Sequence, residues 1–171
     1  MKCFQVIFFL FLFQVGFSQN DIFDIARKGT VQELYNAILL NKKAIDSIDS
    51  RGFTPLILAC YRGNISVAIE IIQKSKLLDY ASSNGTALAA TVMSEKIELA
   101  NELLKNKANP NITDSNGVSP LMLAIQFQKT EFIELFIKYG ASKTTIDKSG
   151  KSVFEYAVFS KNEQIINLLK N

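Results

Sequence analysis

Residues 49–63 read DSRGFTPLILACYRG, and each mark of punctuation in that stretch has a physical meaning. Asp49 and Gly52 bracket a tight turn, because glycine takes the positive-φ corner at no steric cost. Thr54 is placed to cap a helix with its hydroxyl. Pro55 follows at the first helical position, where its missing N–H is not needed. Leu56 and Ala59 then fall three residues apart on one helical face. Gly63 closes the helix.

The stretch recurs. Thr54-Pro55-Leu56 returns as Thr86-Ala87-Leu88, 32 residues on, then as Ser119-Pro120-Leu121 and Ser152-Val153-Phe154 at steps of 33. The turn returns as Asp114…Gly117 and Asp147…Gly150, while Asn84-Gly85 supplies the corner one residue out of step. The small residue of the helix recurs as Ala59, Thr91, Ala124 and Ala157. Apolar pairs close each unit at Ile71-Ile72, Leu103-Leu104 and Phe136-Ile137. Upstream, residues 21–46 fit a first unit with an eroded start. Five units result, spanning about 20–49, 50–81, 82–114, 115–147 and 148–171, together one domain over 19–171.

This pattern resembles the ankyrin repeat, whose signature is an Asp/Gly turn, T-P-L-H-x-A, a glycine before a second helix, paired leucines and Gly-Ala-Asp at a period of 33. TPLILA at 54–59, Gly63, SPLMLA at 119–124 and Gly140-Ala141 carry the likeness. The resemblance implies an all-α solenoid of stacked helix-turn-helix units with protruding hairpin turns. Neither helix of a unit buries its apolar face alone, so stacked neighbours must complete one continuous core. Glu70, Lys74, Glu98, Glu102, Lys105, Glu131, Glu134 and Lys138 read as the solvated outer face of the second helices. The histidine of the family motif is replaced throughout, by Ile57, Ala89, Met122 and Glu155. The third unit departs furthest, so local irregularity or looseness is expected there.

The first eighteen residues, MKCFQVIFFLFLFQVGFS, read as a signal peptide cut after Ser18, with Lys2 ahead of an apolar run and Gly16 and Ser18 at the cleavage site. An uncleaved anchor is the competing reading, against which stand the shortness of the run and its interruption by Gln5 and Gln14. Cleavage removes Lys2 and no acid, so the formal charge of +3 falls to +2, too near neutral to suggest nucleic acid. The mature chain keeps only Cys60, so no disulfide can form within it. A periplasmic or secreted location is expected, with no membrane span in the mature form.

Enzymatic chemistry finds few materials. The 171 residues include no histidine, which removes the commonest general base and any His-liganded metal site. One mature cysteine rules out a Cys-rich zinc site, and neither metal nor cofactor is expected. The carboxylate pairs Asp21/Asp24 and Asp46/Asp49 sit where capping and solvation explain them. Gly150-Lys151-Ser152 lacks the first glycine of a phosphate loop, its place holding Thr145. Asn64, Asn84 and Asn111 each open an N-x-S/T triplet, a glycan acceptor pattern in a eukaryotic source.

What remains is a surface. The resemblance implies a partner-binding concave side made of hairpin tips and the exposed ends of the first helices. Those positions hold Arg51, Phe53, Tyr61, Arg62, Met93, Phe127, Lys148 and Phe159, with Arg27 and Lys28 at the matching place in the first unit. Aromatic residues, Met and Arg beside adaptable Ser and Asn suit a protein interface; the other reading of the rings is that they pack back onto the stack. The expected function is therefore non-enzymatic: a monomeric exported module that grips a partner protein as inhibitor, immunity or stabilising factor. The alternative is a small-molecule binder or enzyme using groove carboxylates and Lys.

Overall fold

A computed structural model describes residues 21–170. The expected signal peptide, residues 1–18, lies outside them. Ten α-helices follow one another in the described residues: α1 Ile22–Lys28, α2 Val31–Leu40, α3 Pro55–Arg62, α4 Ile65–Lys74, α5 Ala87–Ser94, α6 Ile97–Lys105, α7 Pro120–Gln126, α8 Thr130–Lys138, α9 Val153–Ser160 and α10 Glu163–Lys170. A single 3-10 turn, Ala44–Asp46, follows α2. No extended strand occurs among these residues; isolated bridges join Ser82 to Gly85 and Ile146 to Ser152.

The hydroxyls that recur in the sequence all cap helices. Thr54, Thr86, Ser119 and Ser152 accept from the backbone amides of Ile57, Ala89, Met122 and Glu155, and so satisfy a donor that the first turn leaves orphaned. At the far end of α3, Gly63 takes a left-handed conformation with φ +66°, and the chain reverses directly into α4. Thr54 and Gly63 thus stop α3 at both ends, and the pairs α3/α4, α5/α6, α7/α8 and α9/α10 fold back on themselves.

Pairs then stack in two rows, α1-α3-α5-α7-α9 in front and α2-α4-α6-α8-α10 behind. Ala26, Ala59, Thr91, Ala124 and Ala157 are fully buried between neighbouring front helices, where a larger side chain would hold the backbones apart. Leu34, Ile71, Leu103, Phe136 and Ile165 fill the space behind them, each buried completely. Burying one such side chain stabilises by about 1.5–3 kcal/mol, so the core is a sum of neighbour contacts along the stack.

Polar side chains away from the histidine positions stitch unit to unit. Asp46 accepts from Ser75 Oγ at 2.6 Å and from the Lys76 amide at 3.1 Å. Asp79 accepts from the Asn109 amide at 2.8 Å. Asn111 accepts from the Ser142 amide at 2.7 Å and donates to the Gly140 carbonyl at 3.1 Å. Asn64 Nδ2 donates to the Gly29 carbonyl at 2.9 Å, so the nitrogen a glycan would need is already engaged.

The hairpins show where the repeat is irregular. Asp49, Asp114 and Asp147 each accept from the amides two and four residues on, which holds a five-residue tip. In the third unit Ala81 stands in the aspartate's place, and Ser82 instead accepts from the Asn84 amide and donates to the Gly85 carbonyl. Paired backbone bonds between Ser82 and Gly85 make this tip one residue shorter than the others. The irregularity stops there. Helix α5 is buried along most of its length and Thr91 ties its hydroxyl to the Leu88 carbonyl at 2.7 Å, so the expected looseness is absent from the helices.

Candidate binding surface

The short third tip shapes the surface beside it. Tips of later units are bonded to one another: Ser115 donates to the Ser83 carbonyl through its amide and its hydroxyl, and the Lys148 amide donates to the Asn116 carbonyl. Among the described residues no hydrogen bond joins the tip at 49–53 to that at 82–85. A groove of about 410 Å³ lies there, walled by α3 on one side and α5 on the other. Ile57, Leu58, Ala89, Ala90 and Leu123 make its apolar lining, and Ser82, Asn84, Gly85 and Thr86 its polar edge.

Arg51, Phe53, Tyr61, Arg62 and Met93, all expected at the binding face, line this one groove. Tyr61 is 51% exposed and Met93 46%. Phe53 is half-buried against the core, with the Arg51 guanidinium 5.5 Å from its ring centre. The Arg62 guanidinium sits 6.0 Å over the Tyr61 ring. Cation–π contacts of this kind lay the guanidinium flat and restrict its rotamers.

Arg27 completes the lining from α1. It pairs with Asp24 at 2.8 Å and with Asp49 at 3.5 Å, and Asp49 pairs again with Arg51 at 3.2 Å. Burial pushes the Asp49 carboxyl up, but amide hydrogen bonds from Phe53 and Arg51 and the Arg51 charge outweigh it and hold the group below its ordinary value. Asp49 is thus an ionised part of the second tip.

Phe127, Lys148 and Phe159 lie elsewhere on the molecule. Phe127 caps the end of α7 and is exposed. Lys148 is an exposed tip residue whose amide is bonded to the preceding tip. Phe159 is exposed on α9 with the Lys151 ammonium 5.0 Å from its ring centre. In the sequence, Asn84 and Thr86 read as a turn corner, a unit start and a glycan-acceptor triplet, not as part of the binding face. Their place on the groove follows from the shortened tip, which the one-residue slip of Asn84-Gly85 signals. Exposed Tyr35 and Lys74 and half-buried Glu70 form a second cluster on the outer face, where Glu70 accepts from both partners.

No set of three His, Cys, Asp or Glu among the described residues is grouped to hold a metal ion. Burial pushes the Cys60 thiol up to about 12, which keeps it protonated and unreactive. No helix among the described residues is long and apolar enough to cross a membrane.

A family model described as ankyrin repeats (3 copies) matches residues 22–114 and 87–171. Among curated proteins the chain is similar to the glycerophosphocholine phosphodiesterase gde1 of Schizosaccharomyces pombe, 32% identical over 138 residues, which cover 78% of this chain and 12% of that protein. It is also similar to an ankyrin repeat-containing protein of Treponema pallidum, 32% identical over 64% of this chain and 37% of that one. Rabankyrin-5 of Mus musculus is 29% identical over 60% of this chain and 10% of its own length. The chain therefore spans well under half the length of these relatives. With its helix pairs, capped turns and two-row stack, the chain belongs to the ankyrin-repeat family.

Proposed function

We propose that this ankyrin stack is an exported, non-enzymatic interaction protein that holds a partner protein on its concave face and inhibits or stabilises it. Ankyrin repeats are protein–protein interaction modules, and the observation that carries the reading is the groove between α3 and α5. Exposed Tyr61 and Met93 stand there beside the guanidiniums of Arg51 and Arg62. Aromatic, Met and Arg side chains on rigid helices are the residues that interfaces concentrate. The carboxylates nearest the groove are committed to ion pairs and turn amides, so no acid–base step is assigned to them. Export rests on the reading of residues 1–18, and mature protein recovered from the envelope or medium should begin at Gln19.

The test is affinity capture with purified Tyr61→Asp and Phe127→Asp, each compared with the unaltered chain. Capture of the partner should fall sharply for Tyr61→Asp while the melting temperature stays within a few degrees. Undiminished capture by both variants, folded normally, would show that the concave face is not the binding face.

A further inference from the structure

The interaction reading leaves the partner's chemistry open, and the lining of the groove narrows it; the inference rests on that reading. We propose that the groove between the second and third tips selects an acidic, extended segment of the partner protein. One apolar side chain of that segment enters between α3 and α5, and flanking Asp or Glu carboxylates meet Arg51 and Arg62.

The charge around the groove is one-sided. Its lining includes three arginines and no carboxylate. Asp24 and Asp49 neutralise part of that charge from beneath, the Asp49 side chain being only 11% exposed. Arg51 remains 61% exposed at the mouth, and Arg62 has no carboxylate within ion-pair distance among the described residues. An incoming carboxylate therefore finds two exposed guanidiniums beside the apolar floor, one in the tip before α3 and one at the far end of α3. Guanidinium and carboxylate match in a two-pronged geometry that an ammonium does not offer. The rings of Phe53 and Tyr61 hold both guanidiniums in place before binding, which lowers the entropy lost on association.

Size and shape narrow the class further. A groove of about 410 Å³ lies at the small end of the ~300–1,000 Å³ range of ligand pockets, and suits one large side chain with a few flanking residues. Ile57, Ala89, Ala90 and Met93 make the floor that such a side chain covers. The break in the tip-to-tip bonds leaves the mouth open at this place, whereas the third and fourth tips and the fourth and fifth tips are joined.

The test uses the folded chain and three capped nine-residue peptides followed by amide NMR and calorimetry. One has a central Leu flanked by two Asp and two Glu; one replaces the acids by Lys; one keeps the acids and replaces the Leu by Ala. The first should shift the amides of Tyr61, Ala89 and Met93 and lose roughly ten-fold in affinity as salt rises from low to high concentration. The second should leave those amides unmoved, and the third should bind at least several-fold more weakly. Arg62→Glu should cut binding of the acidic peptide roughly ten-fold and admit the Lys peptide. Equal binding of acidic and basic peptides, shifts gathered at Lys151 instead, or equal groove shifts from a single-stranded oligonucleotide would overturn the proposal. If Tyr61→Asp abolishes partner capture while the acidic peptide fails, the interaction reading stands and the acidic selectivity falls. If Tyr61→Asp, Phe127→Asp and the peptide are all without effect, both fall.

Discussion

The Tyr156 hydroxyl donates to Asp147 Oδ2 at 2.7 Å, tying helix α9 to the hairpin that precedes it. Asp147 also accepts from Ser149 Oγ at 2.7 Å and from the amides of Ser149 and Lys151. The Ser149 hydroxyl, then the Tyr156 hydroxyl and the Lys151 amide, hold the carboxyl well below its usual range. A depressed carboxyl contributes stability that is present above its unfolded value, near 3.8, and is lost as pH falls through the lower folded value. Burial, then the bond to Asp147, pushes Tyr156 up to about 12, so its contribution is present below about 10 and lost as pH rises toward 12. Melting curves of the unaltered chain should therefore drop below about pH 4. Asp147→Asn should melt lower at neutral pH and show a flatter acid limb. An acid limb as steep as that of the unaltered chain would mean that Asp147 is not the group responsible.

Leu56, Leu88 and Leu121 occupy one place in successive units, and Phe154 is their counterpart in the last. Leu56 is 1% exposed and Phe154 43%, because a further front helix covers the first and nothing described covers the second. Leu121→Ala should cost about 2–5 kcal/mol, as expected for a close-packed leucine. Phe154→Ser should cost about 1 kcal/mol or less. Chemical denaturation of the two variants decides it; similar losses would mean that α9 is covered.

Asn64 reaches back across a unit boundary to the carbonyls of Gly29, Ala26 and Ile25. Asn64→Ala takes this donor from the Gly29 carbonyl, while the Ile25 carbonyl keeps the Gly29 amide, and should cost about 1–3 kcal/mol. In a stack whose units contact only their neighbours, the loss should be local. Hydrogen exchange should accelerate in α1 and α2 and stay unchanged in α7 to α10. A uniform acceleration along the chain would indicate one global unfolding unit instead.

The front helices also end unevenly. Gly63 takes the left-handed conformation that closes α3, whereas Lys161 takes it after α9 at φ +56° and Glu95 after α5 at φ +58°. A side chain in that region is disfavoured relative to glycine. Glu95 is anchored by Lys129 at 2.7 Å, while Lys161 forms no ion pair among the described residues. Lys161→Gly should accordingly stabilise the protein by about 0.5–1 kcal/mol, read from the denaturation midpoint. Gly63→Ala should do the reverse, because alanine at φ +66° is strained, while the Lys96 side chain near the new Cβ can swing aside.

Much of this architecture is legible in the chain itself. Helix starts, stops and tips depend on residues a few places apart, so Thr54, Pro55, Gly63 and the turn aspartates declare them without knowledge of the whole. Periodicity likewise marks which faces must be covered. Legibility ends where a property depends on residues about thirty apart. That Phe53 is half-buried, that Asn84 edges a groove, and that Asp49 is shared between Arg27 and Arg51 follow only from the packing of one unit on the next. The repeat, its caps and the row of exposed aromatic and basic residues were thus set by local sequence, because caps and turns are short-range. The tertiary structure alone decided that Arg51, Phe53, Tyr61, Arg62 and Met93 meet in one groove and that Phe127, Lys148 and Phe159 stand apart, because among the described residues the second and third tips share no hydrogen bond while the later tips are bonded to one another.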